Sequence, residues 1–132
     1  MKHQLVSVVA LIDSDSRILI SKRPASKKLS GYWELPGGKV EADESPYNAA
    51  VRELKEELDI KTWSNCLTPL TFTCHVYDNV NHIVLLFVCR KWEGFPLAHE
   101  SNELKWVRSN ELNQFKMLPA NHGMMAILRD WL

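Results

Sequence analysis

Between Gly37 and Ile60 the chain reads GGKVEADESPYNAAVRELKEELDI, with five glutamates and one arginine at spacings suited to holding a divalent cation. Ser45 is a good helix cap and Pro46 suits a first helical position, where its missing N–H leaves nothing unsatisfied. A helix is therefore predicted from about Pro46 to Leu58. At roughly 100° per residue, Glu53, Glu56 and Glu57 share an arc of about 100°, while Tyr47, Ala50, Val51, Leu54 and Leu58 form an apolar stripe. One face is predicted to meet a core and the other to present carboxylates. Like charges at i and i+4, such as Glu53 and Glu57, weaken an isolated helix by ~0.2–0.5 kcal/mol, so a cation is expected among them. Mg²⁺ fits because it takes oxygen ligands, keeps several waters and bridges carboxylates to phosphates, which makes magnesium-dependent phosphohydrolysis the implied chemistry. The competing reading is a solvated charged face softened by Arg52 and Lys55.

The elements around this helix must hold it against a sheet. Leu5 to Ile12 and Arg17 to Lys22 read as strands joined by the turn Asp13-Ser14-Asp15-Ser16, a predicted hairpin. Pro24 to Gly31 is a predicted loop, and Tyr32 to Leu35 a short strand delivering the chain to Pro36-Gly37-Gly38. Leu67 to Tyr77 and His82 to Lys91 form a second predicted hairpin across Asp78-Asn79-Val80-Asn81. A strand over Leu104 to Arg108 and a last helix over about His122 to Trp131 complete the pattern. That helix turns either Met125, Leu128 and Leu132 or Ala126 and Ile127 toward the sheet. Helices on two sides of a mixed sheet give an α/β fold, an α/β/α sandwich.

At 132 residues and 45% hydrophobic content the chain is read as one domain over residues 1–132. Sixteen basic and sixteen acidic residues leave no net charge, which argues against a nucleic-acid polymer as substrate. Cys66, Cys74 and Cys89 lie in or beside apolar runs and are expected as buried free thiols, with no zinc spacing. With no leader, no run of about 18 apolar residues and no lipidation signal, no membrane is expected, and a cytoplasmic monomer is the default.

The order Gly38, five residues, Glu44, seven residues, Arg52-Glu53-Leu54, one residue, Glu56-Glu57, one residue, Asp59-Ile60 resembles the signature of the Nudix hydrolases at all but one position. These flanking residues decide against the solvated face. Where the signature has glycine this chain has Asp59, directly after the helix, a place that often needs left-handed backbone. The departure removes no metal ligand and puts local stability in question. The similarity covers nearly the whole chain and extends to the MutT-type branch that sanitises oxidised nucleotides. Arg23, Glu34-Leu35-Pro36-Gly37-Gly38, Trp92-Glu93-Gly94, Glu100 and Leu118-Pro119-Ala120-Asn121 all fall where that branch carries similar residues.

The resemblance implies water attack on an internal phosphorus of a nucleoside triphosphate, with Mg²⁺, or Mn²⁺ in its place, as cofactor. Glu53, Glu56 and Glu57 are the expected metal ligands, joined by Glu100 and by a carbonyl of Gly37 or Gly38, where the missing side chains let backbone approach an ion. Glu53 and Glu100 compete as the general base. Glu44, near the positive helix end, and Arg52, which can reach back to it or orient another glutamate, are expected to support the ligands. Arg23 follows a strand and suits a bidentate phosphate contact, with Lys28 as a weaker electrostatic helper. Glu34, Leu35, Pro36 and Gly37 are expected along the substrate.

Asn121 has two readings. Its carboxamide matches 8-oxoguanine, whose N7–H donor sits beside the O6 acceptor, whereas unmodified guanine sets a lone pair against the amide oxygen. It is equally suited to capping the last helix. The expected activity is therefore hydrolysis of 8-oxo-dGTP to 8-oxo-dGMP and pyrophosphate. The alternatives are a pyrimidine nucleotide pyrophosphohydrolase of the same family, with Asn121 as a cap, and a non-catalytic recognition domain, which the intact glutamates argue against.

Overall fold

The computed structural model describes residues 1–99 and 103–132. The chain is built around β1 (Lys2–Leu11), whose continuous apolar run Val8-Val9-Ala10-Leu11-Ile12 reflects burial on both faces. Val9 and Leu11 pack with Ala50, Leu54 and Leu58 of α1 (Pro46–Leu58). Val8, Ala10 and Ile12 pack with Met124, Met125 and Leu128 of α2 (His122–Trp131). The expected α/β/α layering follows from this alternation.

Among the described residues, the strands divide into two sheets where one was expected. β4 (Gly37–Lys39), β1, β6 (Val80–Cys89) and β5 (Leu67–Tyr77) form the larger sheet in that order, with β1 and β6 parallel and the remaining pairs antiparallel. β3 (Trp33–Glu34), β2 (Arg17–Lys22) and β7 (Glu103–Arg108) form the smaller, antiparallel one. The predicted β1–β2 hairpin is thereby corrected. Both edges of β1 are occupied by β4 and β6, so β2 keeps a single bridge, Ile12 to Ile18, and turns away at Ser16, whose φ is 61°.

The second hairpin forms, with a tighter turn than expected. Asp78 and Asn79 both have positive φ, 50° and 60°, as in the two-residue turns that match strand twist, so β6 starts at Val80 and ends at Cys89. The edge strand β5 carries no charged residue along its eleven positions. Cys74 lies exposed on that edge and Cys66 is half-buried, so expected thiol burial holds for Cys89 alone.

The predicted helix bounds hold for α1. Ser45 Oγ accepts from the Asn48 N–H at 3.1 Å, and Ala50, Leu54 and Leu58 are buried along with Ala49, while Tyr47 rests on Phe87 at the rim. In α2, Met124, Met125 and Leu128 face inward with Leu132 packed beside them, and Ala126 and Ile127 face solvent. No helix among the described residues is long and apolar enough to cross a membrane.

Asp59 ends α1 in left-handed backbone at φ 56° and ψ 35°, held by its N–H to the Lys55 carbonyl at 3.1 Å, by the Ile60 N–H to the Leu54 carbonyl at 3.5 Å and by an exposed ion pair with Lys55 at 2.8 Å. A side chain in this conformation is strained and exposed ion pairs contribute little. Asp59→Gly is expected to raise the thermal midpoint by ~3 °C with turnover unchanged, as read by calorimetry and initial rates.

Candidate active site

The site is built where α1 lies on β4. Pro36 accepts from the Val9 N–H at 2.9 Å, and Gly37-Gly38-Lys39 then pair antiparallel with Val8-Ser7-Val6. A Cβ on Gly37, whose φ is +151°, would overlap the Ser7 carbonyl, and one on Gly38 would fall inside the Glu53 carboxylate. Gly37 therefore permits an approach to β1 backbone that a side chain would block, while any side chain at Gly38 would displace the Glu53 carboxylate from its present place.

The helix carboxylates occupy different environments. Glu53 is largely buried beside Gly38 and accepts from Arg52 Nη1 at 2.9 Å. Glu57 accepts from the Gly37 N–H at 3.3 Å. Burial, then the charge of Glu53, pushes the Glu57 carboxyl up to about 8, with Glu34 adding to the rise and the Gly37 N–H opposing it. Glu56 is mostly exposed and accepts from Arg52 Nη1 at 3.2 Å.

Arg52 organises the outer rim. Its Nε and Nη2 grip both oxygens of Glu44, at 3.1 and 2.6 Å, and Nη2 also donates to the Lys39 carbonyl at 3.1 Å. The Glu44 hydrogen bond, reinforced by Glu53, holds the guanidinium firmly protonated. In return, Arg52 and the Glu41 N–H hold the Glu44 carboxyl below its ordinary range. This bidentate, charge-assisted geometry ties the start of α1 to β4.

No group of three or more His, Cys, Asp or Glu side chains stands in ligand geometry among the described residues. The donor chemistry nevertheless fits a hard cation. Two carboxylates meet over glycine backbone, and one is pushed toward protonation by burial and its neighbour, a conflict that a positive ion removes.

The remaining expected site residues lie around this centre. Arg23 Nη1 pairs with Glu34 at 2.9 Å and its Nε donates to the Lys28 carbonyl at 2.8 Å, which engages the guanidinium within the protein. It lines a groove of about 380 Å³ with Lys22, Pro24, Ala25, Ser30, Gly31 and Glu103. Lys28 is exposed, while Leu35 and Pro36 are buried between Glu34 and the glycines. Glu100 lies outside the described residues.

Asn121 is 4% exposed, and its side chain makes no capping hydrogen bond to α2. Its Nδ2 is buried with no partner among the described residues. A parallel bridge between Trp33 and Met117 starts Leu35–Gly37 and Pro119–Asn121 from neighbouring points. Sequence reasoning missed Ser7, which is fully buried with its hydroxyl 2.8 Å from the Pro46 carbonyl. The available signal was a hydroxyl inside the run Val6-Ser7-Val8-Val9.

A mixed α/β/α fold that sets a carboxylate-bearing helix on a glycine strand suits a hydrolase of phosphoric anhydrides, and the chain's likeness to known proteins places it in that class. A profile described as NUDIX domain matches residues 1–128, and the chain belongs to the Nudix family. It is 36% identical over 116 residues to a CTP pyrophosphohydrolase of Escherichia coli K12, covering 86% of this chain and 83% of the relative. To the 8-oxo-dGTP diphosphatase of the same organism it is 32% identical over 136 residues, covering 98% of each. The solved structure of the E. coli ORF135 protein superposes with a TM-score of 0.87 at 30% identity, covering 98% of this chain and 91% of that one. Nudix hydrolases act on small nucleotide substrates with the help of divalent metal ions, and this protein is one of them.

With the Glu57 carboxyl pushed up to about 8 by burial and by Glu53, against an ordinary value of 4.5, the folded state is expected to hold an extra proton between those limits. Stability from this group is present below the lower value and is lost as pH rises through the upper one. In EDTA, the urea midpoint is expected to fall from about pH 5 to about pH 8, and Glu57→Gln to flatten that slope. Equal slopes in both proteins would show that Glu57 ionises normally.

Proposed function

We propose that this protein is a Mg²⁺-dependent nucleoside triphosphate pyrophosphohydrolase whose preferred substrate is 8-oxo-dGTP, released as 8-oxo-dGMP and pyrophosphate. It acts as a cytoplasmic monomer on free nucleotides, clearing the oxidised base before it reaches DNA. The observation that carries the substrate assignment is Asn121, buried at 4% exposure with Nδ2 unpartnered among the described residues. A buried unpaired amide donor costs about 1–3 kcal/mol, which the O6 acceptor of a bound base would relieve while N7–H meets the amide oxygen.

In this reading Glu53, Glu56 and Glu57, with a Gly37 or Gly38 carbonyl, hold the cation. When bound, the cation neutralises phosphate charge and lowers the pKa of bound water. Water oxygen attacks an internal phosphorus, the bond to the bridging oxygen on the pyrophosphate side breaks, and the water proton passes to a carboxylate. Glu53 and Glu100 are the two candidates for that transfer, and the burial of Glu53 beside Gly38 supports its candidacy. Arg52 and Glu44 hold the start of the helix in place. Arg23 exchanges its contact with Glu34 for phosphate oxygens, with Lys28 adding positive charge nearby.

The 36% identity to a CTP pyrophosphohydrolase supports a second reading, a cytosine nucleotide substrate. Pyrophosphate release from 8-oxo-dGTP, dGTP, CTP, dCTP and 5-methyl-dCTP at sub-saturating concentration separates the two. EDTA is expected to abolish turnover and Mg²⁺ to restore it. Asn121→Ala is expected to lower kcat/KM for 8-oxo-dGTP by about 10²-fold, with the value for dGTP within a few-fold of the parent enzyme. A cytosine preference untouched by Asn121→Ala moves the assignment to the pyrimidine reading.

A further inference from the structure

Ser7 is one of few buried polar residues among those described, with no solvent exposure, inside the run of β1 that is otherwise aliphatic from Leu5 to Leu11. In the β1–β4 register it stands directly opposite Gly38. Directly opposed residues project to the same side of a sheet, so the Ser7 side chain and the vacant side-chain position of Gly38 both face α1. The Ser7 hydroxyl donates to the Pro46 carbonyl at 2.8 Å, in the first turn of that helix. The Ser7 carbonyl lies where a Cβ on Gly37 would have to go. Gly37 in turn donates to Glu57 in the last turn. Helix, β1 and β4 are thus closed into a loop of contacts that passes through one serine.

We propose that Ser7 is a positioning residue for hydrolysis: its bond to Pro46 sets the height of α1 over β4, so that the Glu53 carboxylate rests on Gly38 and Glu57 reaches the Gly37 N–H. This inference rests on the reading of those glutamates as the cation site. A hydroxyl is suited to the task because an aliphatic side chain of similar size fills the space but fixes no distance, whereas a hydrogen bond is directional. Near the reacting centre, a displacement of about 1 Å costs up to ~10²-fold in rate. Losing one buried bond among many leaves the fold intact.

The test compares Ser7→Ala and Ser7→Cys with Val88→Ala, which opens a cavity of its own in the other core cluster, away from α1. Three quantities are measured on each protein: thermal midpoint, Mn²⁺ binding to nucleotide-free protein by electron paramagnetic resonance, and kcat and KM for the preferred nucleotide. Ser7→Ala is expected to weaken Mn²⁺ binding ~5-fold or more and to lower kcat ~10-fold or more, with KM changed less than about 3-fold. Ser7→Cys, a weaker donor of similar size, falls between Ser7→Ala and wild type, and carries the comparison alone if Ser7→Ala does not fold. Val88→Ala is expected to lose at least as much thermal stability while keeping both Mn²⁺ affinity and kcat. Ser7 variants with unchanged Mn²⁺ binding and kcat, or a Val88→Ala protein equally impaired, would overturn the proposal. A wild-type protein that binds no Mn²⁺ and turns over in EDTA would instead remove the cation reading itself.

Discussion

The closeness of α1 to β4 is the constraint on which the site depends. Gly38 has no side chain, so the Glu53 carboxylate can rest on strand backbone, and Gly37 beside it lets β4 pass against the Ser7 carbonyl of β1. The cost of this closeness is electrostatic. Glu57 is driven toward its neutral form because desolvation and the Glu53 charge outweigh the single N–H that Gly37 offers. At the rim the balance is reversed, since Arg52 meets Glu44, Glu53 and Glu56 together and holds the Glu44 carboxyl below its ordinary range. The helix therefore carries a charge-compensated outer rim and an under-compensated inner carboxylate pair, which is the place proposed for the cation.

Much of this was legible in the sequence because it depends on short-range rules. The bounds of α1 follow from Ser45, Pro46 and the spacing of Ala50, Leu54 and Leu58, all within a few turns of one another. The bounds of α2 and the β5–β6 pairing follow likewise, and the carboxylate face could be placed once the helix phase was known. Asp59 was expected to take left-handed backbone, and does so with the help of Lys55.

The rest depends on neighbours remote in sequence. Whether β2 pairs with β1 is decided by β4 and β6 having taken both edges of β1, which no local pattern around Asp13–Ser16 can reveal. Cys74 looked like Cys89, each in a β-rich apolar run; one faces solvent on an edge strand and the other lies in the core. The sequence left Asn121 between capping and recognition. Its side chain makes no cap, and that fact depends on how the three-residue turn Pro119–Asn121 enters α2. Arg23 was expected at phosphates, and its contacts within the protein come from two places that no local pattern links: the Lys28 carbonyl of the loop from Pro24 to Gly31, and the Glu34 carboxylate of β3.

The central strand pair has a consequence for how the chain acquires this shape. β1 and β6 are parallel neighbours whose paired residues are 78 positions apart, as in His3 and Asn81. That pairing must wait for a long closure, whose entropy is lost before either core is sealed. The β5–β6 hairpin is local and can form early, presenting β6 as a template onto which β1 docks. Because β1 supplies alternate side chains to both cores, its arrival completes the two together, and an intermediate with one finished layer is disfavoured. The contact of Glu53 and Glu57 with Gly37 and Gly38, which needs β1, β4 and α1 in place at once, is therefore expected late in folding, in the same cooperative step as the interior.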